Sequence, residues 1–145
     1  MNFSSVVNLI RDTSLSEREK GERFERLIQK WFCADPLYAS QVDKVWLWEE
    51  FPSKSDFGTK DLGIDLVVRT EEGGYWAIQC KCYAPNTTID KAAIDSFISN
   101  SSRTFTDPVH NIKTSFSARF WISTTETWNR NADERKMSME TLMAV

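Results

Sequence analysis

The chain has 145 residues, 41% of them hydrophobic, with 6 Trp and 9 Phe; that is one domain with enough apolar material for a packed core. Only 5 Gly and 4 Pro exclude a low-complexity or disordered chain. A net charge of −3, from 18 basic and 21 acidic residues, excludes a free-standing, tight nucleic-acid binder, but not a nucleic-acid enzyme whose own site is acidic.

In chain order, residues 1–13 carry little pattern and are expected to form a loose arm. Ser16-Glu17-Arg18-Glu19 is a capping box. Phe24, Leu27, Ile28, Trp31 and Phe32 follow at helical period, predicting a helix over 17–33 that stops before Asp35-Pro36. Lys44–Glu49 is β-branched and aromatic and reads as a strand, and Phe51–Lys60 reads as a loop. Leu62–Arg69 and Tyr75–Tyr83 read as a hairpin around Glu71-Glu72-Gly73. Asp90–Asn100 fits a helix, Ser101–Thr114 a loop, and Ala118–Ser123 a buried strand. Asn131–Met143 is expected to be helical, and the chain's end is expected to lead into further domains. The order α-β-β-β-α-β predicts an α/β fold with a mixed central sheet flanked by helices.

No stretch approaches the ~20 consecutive apolar residues of a membrane span, and Met1-Asn2-Phe3-Ser4-Ser5 lacks the basic start of a secretion signal. Cys33, Cys80 and Cys82 are expected to be free thiols, since a disulfide between strand neighbours two apart would be strained. A cytoplasmic protein is expected.

The hairpin carries the chemistry. Alternation puts Trp76, Ile78, Cys80 and Cys82 on one face of its second strand, and Ala77, Gln79, Lys81 and Tyr83 on the other. On the first strand, Ile64, Leu66 and Val68 share a face opposite Asp65. A three-residue turn closed by Thr70 and Gly74 sets Asp65 across from Gln79 and clusters Asp65, Gln79 and Lys81. A carboxylate, an amide oxygen and a lysine suit Mg²⁺-assisted phosphodiester hydrolysis. They suit a buried Asp–Lys ion pair equally well.

Asp65 with Gln79-x-Lys81 resembles the PD-(D/E)xK nuclease motif in its D-…-(E/Q)xK form. Gly63-x-Asp65, and Gly21-Glu22-Arg23-Phe24-Glu25 on the first helix, resemble Mrr-type restriction endonuclease domains. Lys60–Val67, Tyr75–Lys81, Ile94–Phe97 and Ile122–Thr125, with Trp128 and Asn131-Ala132, extend the resemblance. They make the chain similar to the N-terminal nuclease domain of single-polypeptide Type I (Type ISP) restriction-modification enzymes. The resemblance implies a restriction-endonuclease-like core and a Mg²⁺-dependent endonuclease, with Mn²⁺ as a substitute. It implies Asp65, Gln79 and Glu25 as metal ligands and Lys81 as the catalytic lysine. It further implies double-stranded DNA as substrate, attached helicase-type ATPase and methyltransferase domains, and transient pairing of two nuclease domains on DNA. A catalytically silent nuclease fold used for assembly, or an RNA-directed nuclease, are the alternatives.

Glu25 is otherwise a helix-surface residue, and Asp61 a turn residue or a support for Asp65. Thr124 and Thr125 are candidate site-lining residues, and Trp46, Trp48, Lys54 and Lys60 candidate DNA contacts. Cys80-x-Cys82 has the wrong spacing for zinc.

Overall fold

The structure, a computed structural model, describes residues 3–84, 87–124 and 140–143. Three helices come first: α1 (Phe3–Thr13), α2 (Glu17–Ala34) and the short α3 (Pro36–Ala39). The strands β1 (Val42–Leu47), β2 (Leu66–Thr70) and β3 (Tyr75–Lys81) form a meander. Helix α4 (Lys91–Asn100) and a small hairpin, β4 (Thr104–Thr106) and β5 (Lys113–Ser115), lead to β6 (Ala118–Ser123), and β7 (Glu140–Met143) follows. The main sheet runs β1-β2-β3-β6-β7. The meander is antiparallel, while β3–β6 and β6–β7 are parallel. This is the expected mixed sheet between helices.

Each local signal has a visible cause. Ser16 caps α2 by accepting the Glu19 amide at 3.0 Å, and Glu19 reaches back to the Leu15 amide at 2.9 Å. Asp90 caps α4 through the Ala92 amide. The hairpin turn is the expected three-residue one: Thr70 N–H donates to the Gly74 carbonyl at 2.8 Å, and Gly73 takes φ +89°.

Two cores cover the sheet. On one face Phe24, Ile28 and Phe32 of α2 meet Leu66, Val68, Ile78, Cys80 and Phe120. On the other, Ile94 and Phe97 of α4 join Val67, Ala77 and Trp121 within an aromatic cluster that includes Phe51, Phe57, Tyr75, Phe105 and Phe116. The alternation read for β3 therefore holds, and its polar face is also covered by a core.

Four expectations are corrected. Residues 3–13 are a helix whose Val7 and Ile10 are buried, not a loose arm. The 101–114 segment, expected as a loop, holds β4 and most of β5, paired as a hairpin in which Phe105 of β4 is buried. Residues 140–143, expected as the end of a helix, form β7 beside β6; residues 131–139 lie outside the described ones. Finally, β2 starts at Leu66, not Leu62, and Ile64 packs in the α4-side cluster rather than with Leu66 and Val68. Gly63, at φ +72°, turns the chain there and breaks the alternation. Among the described residues, no helix is long and apolar enough to cross a membrane.

Candidate active site

The site lies where β1, β2 and β3 meet one end of the sheet beside α2. Asp65 sits one residue before β2. Its N–H donates to the Ile78 carbonyl at 2.8 Å, and its own carbonyl accepts from Trp48 N–H at 2.9 Å. The ladder pairs Leu66 with Ile78, so extending it by one residue would set Asp65 opposite Gln79. The bond to Ile78 instead ends the regular pairing there and re-aims the side chain. Its carboxylate accepts from Cys80 N–H at 2.8 Å and is hydrogen-bonded to Glu25 of α2.

Glu25 is half-buried on the helix face turned to the sheet. Burial, then the charge of Asp65 and the hydrogen bond to it, then Glu49 and Glu22, push its carboxyl up to about 8. Burial also raises Asp65, to about 6, against the lowering effects of Cys80 N–H and the Lys81 ammonium. With both carboxyls raised, the metal-free pair holds a shared proton near neutral pH. The groove beside them, about 580 Å³, is lined by Glu17, Arg18, Gly21, Glu22, Glu25 and Glu49.

Lys81, at the end of β3, faces Asp65 electrostatically. Gln79, two residues earlier, is 4% exposed, and its Oε1 is buried with no hydrogen-bond partner. Its amide lies against Gly63: a Cβ there would stand 3.3 Å from Oε1 and Nε2. A buried, unpartnered carbonyl oxygen is costly unless something occupies it. Two carboxylates and an amide oxygen are the donor types that Mg²⁺ takes. Among the described residues no three His, Cys, Asp or Glu side chains are placed to hold a metal ion, so this set depends on the amide. Burial and the neighbouring carboxylates push the Cys80 thiol well up, which leaves it a packing group.

Of the residues singled out from sequence, Glu25, Asp65 and Lys81 come together, while the Gln79 amide packs against Gly63. Asp61 is a turn residue: its Oδ1 accepts from Gly63 N–H at 3.0 Å. Thr124 is a clip beside Lys81. Its N–H donates to the Lys81 carbonyl at 3.1 Å and its Oγ1 accepts from Tyr83 N–H at 2.8 Å, pinning β3 to β6 just past Lys81. Trp46 is buried in the aromatic cluster, and Trp48 packs against it. Thr125, Trp128, Asn131 and Ala132 lie outside the described residues. Glu49 was not expected. Its signal was the meander, which brings the end of β1 beside the start of β2.

Two expected results follow. In metal-free protein the raised pKa values of Glu25 and Asp65 mean that the folded state holds protons the unfolded chain releases. That contribution is complete below about pH 4 and is lost as pH rises toward about 8. Thermal melts in EDTA should show Tm falling from pH 5 to 8, with Glu25→Gln flattening the upper part of the fall and Mg²⁺ raising Tm at pH 8. A Glu25→Gln melt as steep as that of wild type would remove Glu25 from the pair. Gly63→Ala combines a left-handed backbone with a Cβ against the Gln79 amide. It should cost about 1–3 kcal/mol and lower DNA cleavage more than the change in Tm accounts for, read by paired melting and cleavage assays.

A scan against family models matches residues 33–143 to a restriction endonuclease family, Mrr_cat_2. The match includes Asp65, Gln79 and Lys81, while Glu25 precedes it. No curated protein matches the chain. Among solved structures, the chain is similar to the ATP-dependent Type ISP restriction-modification enzyme LlaBIII bound to DNA, at 22% identity and a TM-score of 0.66. That match covers 98% of this chain and 8% of the other, so the likeness concerns the fold of a small part of a long enzyme. The family match spans most of the chain and holds the strand residues of the site described above: the chain belongs to the restriction endonuclease family.

Proposed function

We propose that this chain is a Mg²⁺-dependent endodeoxyribonuclease domain that nicks double-stranded DNA, one strand per site. It would act within a longer cytoplasmic restriction enzyme whose helicase-type ATPase and methyltransferase domains deliver and license it. The observation that carries the reading is the Asp65 carboxylate, just before β2, held by Cys80 N–H and Glu25 beside the end of β3 that carries Lys81.

Asp65, Glu25 and the free Oε1 of Gln79 would hold the metal, with Mn²⁺ as a substitute. When bound, the metal supplies Lewis-acid polarisation of the scissile phosphate. The residues do the rest. The Lys81 ammonium orients a water for in-line attack and offsets charge growing on the non-bridging oxygens. The water oxygen bonds to phosphorus, the bond from phosphorus to the 3′ oxygen breaks, and the attacking water's proton leaves to solvent. The departing oxygen takes a proton to become a 3′-hydroxyl beside a 5′-phosphate. Gln79 in place of the motif's Glu removes one negative charge, which lowers metal affinity and favours a single ion. One site cuts one strand, so a double-strand break needs two domains transiently paired on DNA.

The test is cleavage of supercoiled plasmid by the polypeptide bearing this chain, in Mg²⁺, in Mn²⁺ and in EDTA, beside an RNA of matching sequence. Open circles should accumulate before linear DNA, in the presence of metal only, with ends a ligase reseals. Cleavage of RNA alone would favour the RNA-directed reading, and no cleavage by a polypeptide that still hydrolyses ATP would favour a silent fold.

A further inference from the structure

A second pocket, about 460 Å³, opens between the end of α1, the start of α2 and the chain just past Lys81. Its walls include Arg11, Ser14, Ser16, Glu17, Lys20 and Ala84. Glu17 also lines the groove that holds Glu25, so the two spaces adjoin. Arg11 crosses from α1 to donate to the Tyr83 carbonyl at 3.0 Å. The Cys82 thiol, one residue after Lys81, lies in the field of both Arg11 and Lys20. The Lys20 side chain is only 12% exposed, and its Nζ meets Glu17 at 2.8 Å, a carboxylate whose side chain is 90% exposed. Lys20 thus meets one solvated carboxylate, and the oxygens that Arg11 meets, those of Tyr83 and Asn8, are neutral, although burying a cation is unfavourable unless an anion meets it. The chain's net charge of −3 offers a duplex no general attraction, and the groove of glutamates beside the site repels one.

We infer that this pocket is a subsite for a DNA phosphate that flanks the one being cut, bound by Arg11 and Lys20 with the Ser16 hydroxyl. The inference rests on the nuclease reading above and adds what positions the strand. Tyr83, whose carbonyl Arg11 holds, and Ala84, which lines the pocket, follow Lys81 by two and three residues, so the pocket opens beside the lysine's end of β3. A phosphate anchored there holds the adjacent phosphodiester over Asp65 and Lys81, while the acidic groove turns away the rest of the backbone. Arg11 and Lys20 are positioning residues in this account: neither touches the reacting phosphorus.

The experiment measures binding of a 20-base-pair duplex in Ca²⁺, as a non-cleaving ion, across a salt series. Lys20→Met and Arg11→Met should each weaken binding roughly tenfold and lower the slope of log K against log salt by about 1. Lys20→Arg should retain most of both. A neutral methylphosphonate placed at successive positions should weaken wild-type binding at one flanking position, and that same lesion should cost Lys20→Met nothing further. The methylphosphonate scan on wild type alone keeps the test decisive should a variant fold poorly. Unchanged slopes in both variants, or a flanking lesion equally harmful to wild type and Lys20→Met, overturns the subsite. If wild type still cuts DNA in that case, only the subsite falls. A wild type that neither binds nor cuts duplex overturns the nuclease reading and the subsite with it.

Discussion

Asp65→Asn should abolish DNA cleavage, by about 10³-fold or more, without weakening the fold. Asparagine keeps the shape, and its Oδ1 can still accept Cys80 N–H, the bond that fixes the side chain at 2.8 Å. What disappears is the negative charge, and that charge is a burden in the metal-free protein. It lies in a buried position beside Glu25, and burial raises its pKa to about 6. The substitution should therefore leave Tm in EDTA at pH 8 equal to or above that of wild type, and should remove the rise on adding Mg²⁺. Plasmid nicking, melting with and without Mg²⁺, and ATP hydrolysis by the parent polypeptide provide the three readouts. A variant that melts early and loses every activity would assign Asp65 to the fold instead, and one that cuts like wild type would take it out of the chemistry.

Lys81→Met should lower cleavage by about 10²- to 10³-fold in kcat, with KM for DNA little changed. Methionine preserves the apolar stem. The backbone bond from Thr124 N–H to the Lys81 carbonyl is untouched, so the junction of β3 and β6 persists. The variant carries a second signature. The ammonium lowers the Asp65 pKa, so removing it moves Asp65 further above about 6. The acid limb of the pH–rate profile should then shift to higher pH, a change that loss of packing would not produce. A kcat loss with an unmoved acid limb would separate Lys81 from Asp65.

The hairpin was legible because two independent local codes agree on it. Period-2 alternation assigned Cys80 and Gln79 to opposite faces, and the glycine at 73 demanded a turn of one length, which set the register. Helix α2 was legible because a capping box and a full apolar stripe coincide. What escaped was weak locally or written in tertiary contacts. Helix α1 carries Phe3, Val6, Val7 and Ile10 at helical spacing, a short stripe that no capping box opens, and Val7 and Ile10 are buried. Strands β4 and β5 have three residues each, shorter than any period can register. At the site, alternation placed Asp65 with Gln79 and Lys81, but Gly63 bends the chain ahead of β2, and the carboxylate reaches Glu25 across the strand end instead. Glu25 itself came from family resemblance. Nothing in the helix pattern sets it apart from Glu22, and only the fold shows which of the two meets Asp65.

The centre of the sheet has a consequence for how the molecule is made. Strand β3 pairs with β2 through a tight turn, but its other edge waits for β6, which joins it with Trp76 beside Ala118 and Lys81 beside Ser123. On a ribosome, Glu25, Asp65 and Lys81 all emerge before that partner exists. Closing the long intervening segment, which holds α4 and the β4–β5 hairpin, is the slow, entropically costly event in folding. Until it happens the apolar edge of β3 is open to pairing with other chains. Shortened versions ending before Ser123 would keep every proposed site residue and still be prone to aggregate, so the boundary of a usable nuclease fragment is set by the sheet's assembly order rather than by its chemistry.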